Sequence, residues 1–165
     1  MNWFETHDKL AGWAQAFGAL LTLALTLRLA WRRKREAQAA VADRVRALAR
    51  LFGFQHETCA RSYRLRQAQG AGPTDVAALN IHLEEFNFVC GELNQFKFKE
   101  APSATVVHVM IDYRRSCNPL SEMMHPNHEW VATDDLKTFA DLIRAVEDRE
   151  QTLTAEADRI EHRGQ

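Results

Sequence analysis

The chain has 165 residues, room for one domain rather than two, and it contains no low-complexity tract. Its net charge of -1 hides an asymmetry: residues 32–66 hold ten Arg and Lys against three acidic residues, whereas residues 129–163 hold ten acidic residues against five basic ones. This split predicts a basic surface on one part of the protein and an acidic surface elsewhere. The cysteines Cys59, Cys90 and Cys117 are odd in number, widely spaced and free of any CxxC pattern. They indicate reduced thiols rather than a disulfide framework.

An uncharged run lies near the N-terminus. Residues 10–27 read LAGWAQAFGALLTLALTL, and extending the run to Trp31 admits only Arg28. A helix of about 20 residues rises about 30 Å, the thickness of the hydrocarbon core of a bilayer. Trp13 and Trp31 lie near the two ends, where aromatic rings favour the interface, and Arg28 can extend its guanidinium towards water. The run therefore predicts a transmembrane helix from Leu10 to Trp31.

Two other interpretations of this run are less favoured. A cleaved signal peptide would have a basic start and an A-x-A site, but the first nine residues carry Glu5 and Asp8 against Lys9, and the run continues directly into WRRKRE. A buried helix of a soluble protein would have to bury Leu, Ala and Thr on every face.

Flanking charge predicts the orientation of the span. Only Lys9 precedes it, whereas four basic residues follow it at once: Arg32, Arg33, Lys34 and Arg35. The positive-inside rule places the C-terminal side in the cytosol, which for a bacterial protein means the inner membrane with the N-terminus outside. The same four residues are expected to contact anionic lipid headgroups.

One face of the predicted span carries small and weakly polar residues. At 100° per residue these side chains project within roughly 140° of each other; they are Ala14, Gln15, Gly18, Thr22 and Thr26. Small residues at four-residue spacing allow close helix contact in lipid, and the polar ones can hydrogen-bond across it. We therefore expect a homo-oligomer, with a weakly polar lumen as a further option. The alternative is that Ala, Gly and Thr are simply common in such helices.

The first two helices of the remaining chain follow from periodicity and breakers. Residues 32–69 continue the first helix, either without a break or with a kink near Gly53, and Gly70 to Pro73 ends it. Thr74 or Asp75 is expected to cap a second helix that ends around Lys99-Glu100.

The last two helices are predicted in the same way. A third helix starts after Ser103 and closes at Asn118-Pro119, although its Thr-Val-Val would also suit a strand, and a loop follows to Trp130. Thr133 is expected to cap a fourth helix, whose apolar pattern thins after Glu147, so its tail is expected to fray or to project into solvent.

These elements predict an all-α protein with one N-terminal transmembrane helix continuing into a bundle of about four helices. We divide the chain into a membrane anchor with its basic flank, residues 1–35, and a cytosolic helical domain, residues 36–165.

A candidate catalytic pair is Arg50 and His56. An Arg and a His four to six residues apart, in a small helical protein, resemble the motif of HEPN-type RNases. That resemblance implies that His56 acts as general acid or base and that Arg50 stabilises phosphorane charge. The sequence departs from the family where Leu51 stands, because a polar residue is usual there. A solvated arginine and an ordinary helix histidine are the alternative.

Other chemistry-bearing groups point less clearly to a site. His125 and His128 flank Pro126 and could approach Cys117 or Glu122, but no fourth ligand is evident, so we expect neither a metal nor a cofactor. Three kinds of partner fit the dense arginine series: the acidic C-terminal helix, anionic lipid and nucleic acid. We favour the first two. The series comprises Arg44, Arg46, Arg50, Arg61, Arg64 and Arg66.

The overall layout resembles small bacterial membrane proteins with one N-terminal span and a helical cytosolic domain. Among these are accessory effectors of antiphage systems, including a membrane partner of RNA-targeting CRISPR nucleases that carries a divergent Arg/His motif. The resemblance implies a self-associating inner-membrane protein, pore-forming or membrane-perturbing on infection, whose cytosolic domain binds a protein partner. The alternatives are a membrane-tethered HEPN-like RNase and a passive scaffold or anchor.

Overall fold

All regular structure in the described part of the chain is helical. The computed structural model describes the backbone of residues 3–68, 73–128 and 133–163, and side chains from residue 17 onward except near the two connections. The helices are α1, Trp3–Gln67; α2, Pro73–Asn94; a short 3-10 helix, Phe98–Glu100; α3, Ala104–Met124; and α4, Thr133–His162. The all-α prediction with about four helices is confirmed.

The first helix is one continuous element of 65 residues. At 1.5 Å per residue it is about 100 Å long. Of the two alternatives predicted at Gly53, the unbroken helix is correct. The glycine instead provides space: a Cβ built on Gly53 would lie 2.7 Å from the carboxylate oxygen Oε1 of Glu150 in α4. The Glu150 carboxylate thus lies against the backbone of α1 at this point, and a larger residue at position 53 would require that side chain to move.

The bundle is built around the C-terminal half of α1, and α4 is its main packing partner. The ring of Phe52 meets that of Tyr113 in α3 edge to face, with centroids 5.2 Å apart. Tyr63 packs against Phe139 of α4 at 5.9 Å. Apolar side chains from all four helices form one core, whose fully buried members include Val45, Phe52, Phe86, Leu93, Val106, Met110, Tyr113, Leu120, Phe139, Val146 and Leu153. This is the helical packing that the apolar stripes predict.

The second helix is shorter than predicted. It ends at Asn94 rather than around Lys99-Glu100. Arg114 of α3 donates hydrogen bonds to the carbonyl oxygens of Asn94 and Phe96. Its guanidinium also lies 4.3 Å from the ring centre of Phe98. A tertiary contact thus satisfies carbonyls that a continuing helix would have bonded.

The third helix starts where predicted, but it does not stop at Pro119. The side-chain oxygen of Ser103 accepts a hydrogen bond from the backbone of Val106 and caps α3. The helix then runs through Pro119 to Met124, so the predicted loop is wrong at its start. Leu120 and Met124 are fully buried, and their packing holds the backbone helical beyond the proline.

The end of α4 is packed and not frayed, contrary to prediction. The helix continues to His162, and Leu153 and Ala157 are fully buried. Glu156 is also buried, and Arg159 neutralises it at 2.6 Å. The apolar pattern thins in sequence because small and paired charged residues occupy core-facing positions there. From residue type alone, such positions would be predicted to lie on the surface.

The transmembrane part of the prediction is not supported by the described residues. Within them, no helix combines the length and the apolar character needed to cross a membrane. The first seven residues of the predicted span, 10–16, have side chains outside the described part. The predicted caps Thr74 and Asp75 lie inside α2, which already begins at Pro73, so neither precedes the helix as an N-cap would. Of the predicted breaker Gly70 to Pro73, residues 70–72 lie outside the described part, and Pro73 is the first residue of α2.

Candidate functional site

The N-terminal section of α1 projects beyond the bundle. Every residue from 17 to 37 is exposed, and the first fully buried side chain of α1 is that of Ala42. The projecting section carries eight large apolar side chains that are each 55–63% exposed: Phe17, Leu20, Leu21, Leu23, Leu25, Leu27, Leu29 and Trp31. At 100° per residue its leucines cover about 240° of the helix circumference. This apolar segment, residues 17–31, is the largest uncovered apolar surface among the described residues.

Small residues follow one face of the apolar segment: Thr22 and Thr26 lie on the side without leucines, and Gly18 lies at its edge, between Leu25 and Leu29. A Cβ built on Gly18 meets no atom within 4 Å, so the surface there is open. The hydroxyl of Thr22 donates to the carbonyl of Gly18 at 2.8 Å, and that of Thr26 donates to the carbonyl of Thr22 at 2.9 Å. These internal bonds satisfy both hydroxyls without water. Ala14 and Gln15, the other two predicted members of this face, lie outside the described side chains.

A basic collar follows the apolar segment directly: Arg32, Arg33, Lys34 and Arg35, all exposed. Arg32 pairs with Glu36 at 3.0 Å along the helix. The guanidinium of Arg35 lies 5.7 Å from the centre of the Trp31 ring. The collar thus stands between the apolar segment and the bundle, at the boundary that the sequence predicts.

The predicted catalytic residues do not share a face of α1. Because the helix is continuous, six residues separate Arg50 and His56 by about 9 Å along the axis and about 120° around it. Arg50 is exposed, whereas His56 is half-buried beside α4, with Nε2 4.0 Å from a carboxylate oxygen of Glu147. The contacts of His56 thus connect two helices of the bundle.

The arginine series pairs partly with the acidic C-terminal helix, as the sequence predicts. Arg46 contacts Asp158 at 3.0 Å and also pairs with Glu161, both in α4. The hydrogen bonds that Arg46 donates to these carboxylates, that to Glu161 first, raise the pKa of Arg46 above its usual value. Exposed ion pairs of this kind contribute little free energy, so they orient α4 on α1 rather than hold it there.

Two further arginines of the series are engaged within the bundle. Arg61 pairs with Glu85 of α2 at 2.8 Å. Arg66 donates to the carbonyl oxygens of Met124 and His125 and so caps the end of α3. Burial lowers the pKa of Arg66. Arg61 and Arg66 thus contact other helices of the bundle, whereas the collar adjoins the apolar segment.

The loop that holds His125 and His128 shows no metal-binding arrangement. The two histidines line a shallow depression of about 380 Å³ with Ser121, Glu122 and Asn127. Among the described residues, no group of three or more His, Cys, Asp or Glu side chains could hold a metal ion.

Sequence reasoning missed a cluster of thiols between helices. Cys90 of α2 and Cys117 of α3 place their sulfur atoms 3.0 Å apart. The hydroxyl of Tyr113 lies 3.5 Å from the sulfur of Cys117, and the amide of Gln55 donates to the sulfur of Cys90 over 3.5 Å. Linear spacing gave no signal, because the two cysteines stand 27 positions apart on different helices.

Comparison with known proteins identifies no relative: no family model, curated protein or solved structure matches this chain.

Proposed function

We propose that the apolar segment of α1 lies in a bilayer and that copies of the chain self-associate through its small-residue face. The single observation that carries this proposal is the uncovered apolar surface of residues 17–31. Burying one large apolar side chain stabilises by about 1.5–3 kcal/mol. Eight of them, each a little over half exposed, therefore forgo about 7–14 kcal/mol in water, which favours a state in which lipid or protein covers them.

A lipid bilayer fits this surface better than a groove in another protein. A protein groove covers one stripe of a helix, whereas these leucines point to about two thirds of the circumference. Lipid covers all directions at once. The uncharged run predicted from Leu10 would supply the rest of the span, and its side chains up to residue 16 lie outside the described part.

The collar supports an orientation for this arrangement. Four consecutive basic residues at one end of the segment favour the cytosolic side and contact with anionic headgroups. The bundle formed by α2, α3, α4 and the second half of α1 would then lie in the cytosol, where it could bind a protein partner. The antiphage role implied by the architectural resemblance stays a prediction.

The small-residue face supports self-association within the membrane. Gly18 and Thr22 are one turn apart, and Thr22 and Thr26 face the third of the circumference that carries no leucine. Neighbouring helices can approach closely at such a face, which strengthens van der Waals packing in lipid. The threonine hydroxyls bond within their own helix, so the face can pack without leaving a polar group unsatisfied.

We expect Gly18→Leu to weaken the oligomer of the full-length protein in nanodiscs or mild detergent. The added isobutyl group meets no atom of its own chain, so the fold of the protomer should persist while the approach of a second helix is blocked. The oligomeric fraction should fall severalfold in chemical crosslinking and in mass photometry. A matched control is Ala24→Leu, because position 24 lies about 160° around the helix from Thr22.

Equal oligomer content in Gly18→Leu and Ala24→Leu would remove the support for self-association through this face. Loss in both variants would point to general damage to the helix.

Two experiments distinguish self-association from the other predicted functions, a passive anchor and an RNase. A passive anchor would keep its cellular activity when residues 10–31 are replaced by an unrelated span, whereas self-association predicts loss. An RNase would lose RNA cleavage in both Arg50→Ala and His56→Ala. No contact in the described residues favours the RNase, because the two side chains occupy different faces of α1.

A further inference from the structure

We propose that Cys90 and Cys117 form a peroxide-sensitive dithiol, in which Cys117 is oxidised first and Cys90 then closes a disulfide that links α2 to α3. The geometry carries this inference. The two sulfur atoms lie 3.0 Å apart, so about 1 Å of side-chain movement brings them to the bonding distance. Both cysteines are reduced in this structure.

The two thiols differ in accessibility in the way that such a reaction requires. Cys117 is half-buried and reaches the surface of α3, whereas Cys90 is buried among core residues of α2. A small oxidant therefore meets Cys117 first. Cys90 lies behind it and is positioned to attack the oxidised sulfur.

Hydrogen-bond donors stabilise the reactive form of Cys117. When Cys117 is a thiolate, the thiol of Cys90 and the hydroxyl of Tyr113 both lie within reach to donate to its sulfur. These contacts, that of Cys90 first, lower the pKa of Cys117 to about 6 in spite of partial burial. The hydrogen bond to Cys117 and burial raise the pKa of Cys90, so Cys90 keeps its proton at neutral pH.

The reaction balances with a hydroperoxide as the oxidant. The Cys117 thiolate attacks the peroxide, the O–O bond breaks, and the leaving oxygen takes a proton to form an alcohol or water. This leaves a sulfenic acid on Cys117. The sulfur of Cys90 then attacks the sulfur of Cys117, the S–O bond breaks, and the proton of the Cys90 thiol goes to the leaving hydroxyl, so that one water leaves as the disulfide forms. Two thiols lose two electrons, and the peroxide gains them.

The third cysteine provides an internal control. Cys59 is fully buried in α1, its sulfur lies 3.5 Å from that of Met124, and burial raises its pKa to about 12. It should not react with peroxide in the folded protein.

The decisive experiment treats the full-length protein with a small excess of hydrogen peroxide under anaerobic quench. The intact mass should fall by that of two hydrogen atoms, the number of titratable thiols should drop from three to one, and peptide mapping should find Cys90 joined to Cys117. Thiol reductant should restore all three thiols.

Variants assign the order of events. With Cys90→Ser, Cys117 should accumulate a sulfenic acid that a dimedone probe traps. With Cys117→Ser, Cys90 should stay reduced, and Cys59→Ser should still form the link. The proposal is overturned if wild-type protein keeps three thiols at peroxide levels that trap the Cys90→Ser sulfenic acid. It is equally overturned if the mapped disulfide joins two chains. The wild-type mapping decides even where a variant fails to fold.

The same site predicts a pH dependence for alkylation. The groups that face Cys117 are Cys90 from α2 and Tyr113 from its own helix, and Cys59 of α1 lies close enough to interact with it electrostatically. Since the thiolate is the nucleophile, the rate of iodoacetamide labelling at Cys117 should rise with pH and reach its midpoint near pH 6. A midpoint at the ordinary thiol value of about 8.5 would contradict the assigned role of Cys117.

Discussion

Leu21→Arg combined with Leu23→Arg should release the protein from membranes. An arginine near the centre of a spanning helix costs about 2.5–3.5 kcal/mol, so the pair costs about 5–7 kcal/mol. The two positions point to different sides of the apolar segment, so one local distortion of lipid cannot accommodate both. In carbonate-washed membranes, most of the wild-type protein should pellet, and most of the double variant should remain in the supernatant.

The control for this experiment keeps the added charge and moves it beyond the collar. Ala39 and Ala40 are exposed alanines on the bundle side of the basic residues, so Ala39→Arg with Ala40→Arg should leave membrane retention unchanged. If the Leu21/Leu23 variant pellets as well as this control, the apolar segment is not embedded in lipid. The proposal for the function of this protein would then fail.

Phe52→Ala should destabilise the bundle by about 3–5 kcal/mol, the range for removing a buried aromatic side chain. Phe52 is fully buried and brings α1 against α3 through its edge-to-face contact with Tyr113. The substitution removes that contact and leaves a cavity at the centre of the core. Urea denaturation followed by circular dichroism, in the same detergent for all samples, measures the change.

A phenylalanine two positions further along α1 supplies the matched comparison. Phe54 is 43% exposed, so Phe54→Ala should change the free energy of unfolding by less than about 1 kcal/mol. A similar loss in both variants would mean that α1 is not packed in the described register. The comparison is informative because both changes remove the same side chain from the same helix.

Apolar periodicity and helix breakers predicted that α2, α3 and α4 exist and roughly where each begins. The predicted C-terminal ends of these helices were wrong, because tertiary contacts decide where each one stops. Arg114 donates hydrogen bonds to the carbonyl oxygens of Asn94 and Phe96 at the end of α2. Arg114 belongs to the next helix, so the residues around Asn94 do not predict this contact. Proline usually breaks the interior of a helix, but α3 continues past Pro119 because Leu120 is buried in the core there. From sequence, Glu156 would be predicted to lie on the surface. In the structure it is buried and paired with Arg159.

The sequence by itself determined the all-α class, the N-terminal apolar segment with its small-residue face, and the basic collar, because these features depend on residue type and spacing along one helix. The tertiary structure alone decided that Cys90 meets Cys117, that Arg46 pairs with α4, and that Arg50 and His56 occupy different faces of an unbroken helix. The reason is geometric: contacts between helices depend on their relative rotation and on where each one ends. Periodicity within a single helix specifies neither.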